Sequence, residues 1–213
     1  MRVKMKLMGL LVSLSWAMNA YAYHDVPDLD DVWISNVAAG GTGCKGQEGA
    51  YAYFDGQAIV LQTEGLNVIK GERIPASEAR KFCQYLIELE VPSGWTYGIV
   101  AVEGNMETYL NYGTKAVAKL NASFVGDGDS GAAEIIHKYT GYDDTNFYER
   151  LDQVIYAPCD NNRSLKLKQA LQLSKASSSR TSRRFSEAQL DSPVSFYLTW
   201  KRCGGVIRRD LGE

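Results

Sequence analysis

Apolar and polar residues alternate along most of this chain. Between positions 83 and 91 the odd residues (Cys83, Tyr85, Ile87, Leu89, Val91) are apolar, while Glu88 and Glu90 occupy the other side. A period of two places one face of an extended strand in a core and the other in water. Leu165, Leu167, Leu171 and Leu173 alternate with Lys166, Lys168, Ala170 and Gln172 in the same way. Val194, Phe196, Leu198 and Trp200 alternate with Ser195, Tyr197, Thr199 and Lys201, which assigns Trp200 to the core. Residues 97–102, 116–125, 132–139 and 154–157 add further β-rich runs. Asp55-Gly56 between two such runs is a hairpin signature, because a tight turn needs residues that accept positive φ. Pro92-Ser93-Gly94 and Gly126-Asp127-Gly128-Asp129 mark other turns. Only residues 76–82 could seed a helix, and that stretch is short. The pattern predicts an all-β chain: an antiparallel β-sandwich, or a flattened barrel, of about eight to ten strands with at most one short helix.

The ends and one interior stretch fall outside this pattern. Arg2, Lys4 and Lys6 precede an apolar run of about a dozen residues and then Ala20-Tyr21-Ala22. A positive end, a short apolar core and a small-x-small exit describe a secretory signal peptide over residues 1–22. The run is too short for a membrane anchor, and no later segment could span a bilayer. The expected layout continues with an acidic arm over 23–33, a single sandwich domain over 34–203 and a charged tail over 204–213. Residues 174–190, rich in serine and arginine, read as a mobile basic loop within that domain.

At 213 residues, 45% hydrophobic and 23% charged, the chain is long and apolar enough for its own core, which excludes a disordered polymer. Loss of residues 1–22 leaves 20 basic against 25 acidic residues. The acidic excess lies in 23–159, with 9 basic and 20 acidic residues. Residues 160–213 carry 11 basic and 5 acidic. Mutual attraction of the two halves within the fold accounts for this split, and so would a docking patch for an anionic polymer.

Cys44, Cys83, Cys159 and Cys203 are an even set in an exported chain, which argues for two disulfides. None has C-x-x-C spacing and neither histidine is near them, so zinc is not expected. Of three pairings, Cys44–Cys83 with Cys159–Cys203 is favoured, closing loops of about 40 residues each.

Five segments in order, Gly41-Thr42-Gly43-Cys44, Ser77-Glu78-Ala79-Arg80-Lys81-Phe82-Cys83, Pro92-Ser93-Gly94-Trp95, Ala157-Pro158-Cys159 and Leu198-Thr199-Trp200-Lys201-Arg202-Cys203, together resemble a family of secreted domains from bacteria and fungi, the domain of unknown function 4360. The likeness covers about residues 34–203. It implies a secreted, β-rich, four-cysteine domain and carries over no catalytic residue.

Candidate chemistry is sparse. Gly128-Asp129-Ser130-Gly131 matches a serine-protease nucleophile motif, yet the upstream His24 sits in the terminal arm and His137 follows only seven residues on; a plain turn is the simpler reading. Asp127 and Asp129 resemble the start of a calcium loop that Asp143 and Asp144 could complete, although an EF-hand would need glycine and glutamate where Ala132 and Lys138 stand. Glu88 and Glu90, about 7 Å apart on one strand face, are a candidate carboxylate pair or two solubilising residues. Trp95, Tyr97, Tyr109 and Tyr112 could form an aromatic platform for sugar rings, or could straddle core and solvent. The basic stretch from Arg163 to Arg184, with Arg180, Arg183 and Arg184 at its end, could hold anionic groups; lacking aromatics for base stacking, it does not fit nucleic acid. Asn121 and Asn162 head glycosylation sequons that matter only in a eukaryotic host.

No cofactor is expected, calcium being the one candidate. A secreted binding module for an extracellular glycan or other polymer is favoured over an enzyme. A carboxylate-dependent hydrolase (Glu88, Glu90 or Asp129) and a structural or adhesive surface component are the alternatives. An enzyme would need a concave pocket where titratable groups converge. The expected location is extracellular, or periplasmic in a Gram-negative host.

Overall fold

A computed structural model describes residues 26–44, 49–126, 133–159, 163–175 and 184–204. The expected signal peptide, the Gly128-Asp129-Ser130-Gly131 run with Asp127, and Arg180 and Arg183 lie outside the described residues, as does the tail beyond Gly204.

Among the described residues there are eleven strands, and the central ones alternate in phase with the residues that must be buried. They are β1 (Trp33–Gly40), β2 (Ala50–Phe54), β3 (Ala58–Thr63), β4 (Asn67–Lys70), β5 (Arg80–Glu90), β6 (Trp95–Tyr109), β7 (Thr114–Phe124), β8 (Ala133–Tyr139), β9 (Tyr142–Tyr156), β10 (Leu165–Lys175) and β11 (Ser186–Arg202). All pairings are antiparallel. One sheet has the order β1-β5-β10-β7-β8; the other runs β2-β3-β11-β6-β9, with β4 also on β11. The residues at 76–82 do not make an α-helix: Ala76–Ala79 form one 3-10 turn and Arg80 opens β5. β11 begins at Ser186, inside the stretch expected to be loop, and residues 176–183 lie outside the described set.

The inward phase of each central strand builds the core. Tyr85, Ile87 and Leu89 of β5 meet Leu165, Leu167 and Leu171 of β10 in one sheet, against Ile99 and Met106 of β6 and Leu190, Val194 and Phe196 of β11 in the other. Each such side chain, withdrawn from water, contributes roughly 1.5–3 kcal/mol before chain entropy is counted. A polar cluster crosses this core: Thr63 donates to Gln169 Oε1 (2.9 Å) and touches the Tyr85 hydroxyl, which donates to the Gln62 carbonyl (2.8 Å).

Both bridges form, Cys44–Cys83 and Cys159–Cys203, as the favoured pairing has it. The segments that carry the family likeness sit at these clamps. Gly43 N–H donates to the Phe82 carbonyl, which holds the Cys44 loop on β5. At the other clamp, Trp95 N–H donates to the Pro92 carbonyl with Gly94 at φ 81°, as the third residue of a type II turn requires. Cys203 N–H donates to the Gly94 carbonyl, so the second bridge is tied to the β5–β6 turn. The guanidinium of Arg202 lies 4.4 Å from the centre of the Trp95 ring.

Candidate functional site

On the outer face of β6 the alternate residues are Glu103, Asn105, Glu107 and Tyr109, while Gly104, Met106 and Thr108 are buried on the inner face. On β9 the outer set is Tyr142, Asp144, Asn146 and Tyr148. Strand register turns these into cross-sheet rows. Tyr109 lies between Glu187 and Tyr142, and Glu107 between Gln189 and Asp144. Asn105 lies between Asp191 and Asn146, and Glu103 between Ser195 and Tyr148. Rows are about 7 Å apart and strands about 4.8 Å, so the four rows span on the order of 20 Å along the sheet.

Tyrosines therefore stand at both ends of an acidic and amide-rich middle. At one end Tyr142 is 74% exposed and Tyr109 57%. At the other, Tyr148 is 53% exposed and its ring meets that of Tyr197 at 5.7 Å in an edge-on arrangement. The face continues through Val60, the partner of both Ser195 and Tyr53, to Tyr51 and Tyr53 on β2, whose rings stack at 6.5 Å.

Hydrogen bonds hold the middle of this face. Asn105 Nδ2 donates to Asp144 Oδ1 (3.0 Å) and Asn146 Oδ1 (3.1 Å), and Gln189 Nε2 to Asp191 Oδ1 (2.5 Å). The Tyr197 hydroxyl donates to Glu103 Oε2. Donation to a carboxylate favours the neutral phenol, and with partial burial and the nearby negative charge it raises the Tyr197 pKa from 10.0 to about 12. A raised folded-state value means that this contribution is fully present below pH 10 and is lost as pH climbs through about 12. Tyr197→Phe is therefore expected to remove one late-ionising phenol from the ultraviolet titration. The stability gap between wild type and variant should persist to pH 10 and close near pH 12; a gap already closed at pH 9 would contradict the assignment.

The four aromatic residues singled out in the sequence are not brought together. Trp95 and Tyr109 end opposite ends of the fifteen-residue β6, on the order of 40 Å apart. Tyr97 is 3% exposed and packs edge-on against Phe124 at 5.6 Å, so it belongs to the core. Trp95 and Tyr97 line a cavity of about 320 Å³ at one end of the sandwich, with Leu89, Pro92, Pro158 and Arg163. Tyr109 alone joins the tyrosine face, and Tyr112, 88% exposed, projects from the turn beyond it. Alternation marks the β6 half of this face, Glu103-x-Asn105-x-Glu107-x-Tyr109; the β9 half has no such contrast, because Asp143, Thr145 and Glu149 in its other phase are polar as well.

Glu88 and Glu90 alternate with buried Ile87 and Leu89 on the five-stranded sheet, and Glu90 accepts from Ser35 (3.0 Å). No cavity described here has both among its walls. Arg184 is exposed just before β11. His137 stacks on Phe147 at 4.6 Å in the seam between β8 and β9, where Glu134, Glu149 and Asp152 also line a cleft of about 250 Å³. Glu134 is engaged there by Asn121 (2.9 Å) and Lys119 (3.6 Å). Among the described residues, no group of three or more His, Cys, Asp or Glu is placed to hold a metal ion. No described helix is long and apolar enough to cross a membrane.

The family model described as Domain of unknown function (DUF4360) matches residues 30–203. A protein of Arthroderma benhamiae named "Uncharacterized secreted protein" is 24% identical over 152 residues, which is 70% of this chain and 62% of that relative. The chain thus spans less than two thirds of the relative's length.

Proposed function

The chain belongs to the domain of unknown function 4360 family, as a secreted, disulfide-bonded β-domain, and on that premise we propose that it binds an extracellular carbohydrate polymer along the outer face of its six-stranded sheet. One observation carries this reading: exposed tyrosines bracket a middle of amides and carboxylates on an open face. Sugar rings have apolar faces and hydroxyl edges. Tyrosine offers a rigid flat contact to the former at low entropy cost, and carboxylate and amide groups accept and donate to the latter. An extended polymer suits an open surface, whereas a single small molecule would be better held in a concave pocket.

Retention of the purified domain on insoluble polysaccharides, scored beside a glycan array, tests the proposal. Tyr142→Ala and Tyr148→Ala are each expected to weaken binding about tenfold, the range of a well-placed aromatic contact, with the circular dichroism spectrum unchanged. Trp95→Ala, at the far clamp, should leave affinity unaltered in any fraction that folds. Retention of no polysaccharide, or equal retention of the two tyrosine variants, overturns the proposal.

A further inference from the structure

Resting on the polymer-binding reading above, we infer that the polymer carries protonated amines: it is an amino-sugar chain with free amino groups rather than a neutral or acidic polysaccharide. The argument is charge complementarity across the tyrosine face. Glu103, Glu107, Asp144, Glu187 and Asp191 all point to the outer side of β6, β9 and β11. The four rows themselves hold no lysine or arginine; Arg150, opposite Ala101, stands in the next row beyond Glu103. Among the described residues, no lysine or arginine forms a salt bridge with any of the five carboxylates.

An uncompensated field of that sign repels uronates and sulfated chains and attracts ammonium groups. The middle of the face is already satisfied internally where Asn105 meets Asp144 and Gln189 meets Asp191, so these carboxylates are held in place before any ligand arrives. Preorganised acceptors lose less ordering entropy on binding. The tyrosines reinforce the choice, because an ammonium over a tyrosine ring is attracted by the ring quadrupole. Tyr109 and Tyr142 flank the acidic rows at one end, Tyr148 at the other. Aromatic faces and acceptor edges would suit a neutral sugar as well. Five carboxylates with no salt bridge among the described residues favour the amino sugar further, because a charge-assisted bond to an ammonium is stronger than one to a hydroxyl.

The decisive experiment compares four probes on the full folded domain at mildly acidic pH: partially deacetylated chitosan, its fully acetylated oligomers, a neutral β-glucan and polylysine. Chitosan is expected to bind at least tenfold more tightly than the acetylated and neutral chains, and to weaken as salt rises. Glu107→Gln with Asp144→Asn should erase most of that preference, lowering the affinity for chitosan far more than that for the neutral chains. Equal affinity for neutral β-glucan and chitosan overturns this inference and leaves the polymer-binding function standing. Retention of none of the carbohydrates overturns both. Polylysine bound as tightly as chitosan, with Tyr142→Ala and Tyr148→Ala indifferent, identifies a basic polypeptide as the partner and overturns the amino-sugar assignment.

Discussion

Replacing Cys159 and Cys203 together by alanine is expected to lower the unfolding free energy by about 4 kcal/mol. The two residues are 44 apart in sequence, and closing a loop of that length removes about that much conformational freedom from the unfolded chain. The loss should be expressed in the native state as well, because Cys203 N–H is bonded to Gly94 and Arg202 covers Trp95, so the bridge anchors the β5–β6 turn. The Cys44–Cys83 pair, 39 apart, should cost a similar amount on its own. Both losses together approach the net stability of an ordinary domain, and the four-alanine variant should fail to fold at 37 °C. Urea denaturation of each double variant measures the effect. A midpoint unmoved by removal of either bridge contradicts the account.

The second large effect is expected at a single glycine. Gly41 has φ 145°, and a Cβ there would stand 2.3 Å from the Phe82 carbonyl oxygen. Gly41→Ala must therefore both strain its own backbone and push back the strand that carries Cys83, at a combined cost of about 3 kcal/mol. Gly56 provides the contrast. Its φ is 95°, yet nothing lies within 4 Å of the position its Cβ would take. Gly56→Ala should cost only the backbone term, about 1 kcal/mol. Thermal unfolding of the two variants separates steric contact from conformational strain. Equal shifts would mean that the approach to Phe82 is relieved without cost.

The core strands were legible in the sequence because their alternation is a packing constraint. β5 from Cys83 on and β10 bury every second residue, as does β11 over Ser186–Leu190 and at Val194 and Phe196, with Leu198 and Trp200 partly buried in the same phase. Two of the four edge strands, β1 and β9, were not legible. β1 has no fully buried residue, and β9 buries only Phe147, so neither has an apolar period to read beyond residues 154–157. The outer tyrosine face was missed for a related reason. Nearness along the chain grouped Trp95 and Tyr97 with Tyr109, but a register shift between Ile99 and Ala101 reverses which phase of β6 faces inward. Tyr97 and Ile99 are inside, and beyond the shift Met106 and Thr108 are inside while Tyr109 is out. A single irregular step thus sends one tyrosine to the core and another to water, and nothing in the local residues announces it. The glycines of the Cys44 loop were visible as a motif, but their reason, the Phe82 carbonyl 40 residues away, is a tertiary contact.

β11 runs seventeen residues and pairs with β3, β4 and β6, so the last of the described strands is the central strand of its sheet. Until it arrives, β3 and β6 expose unsatisfied edges and their inner side chains have no neighbour between them. Assembly of this sheet consequently waits for residues 186–202. A nascent chain stalled before position 186 should remain open to protease, and maturation should be slow, on the millisecond-to-second scale of topologies closed by distant partners.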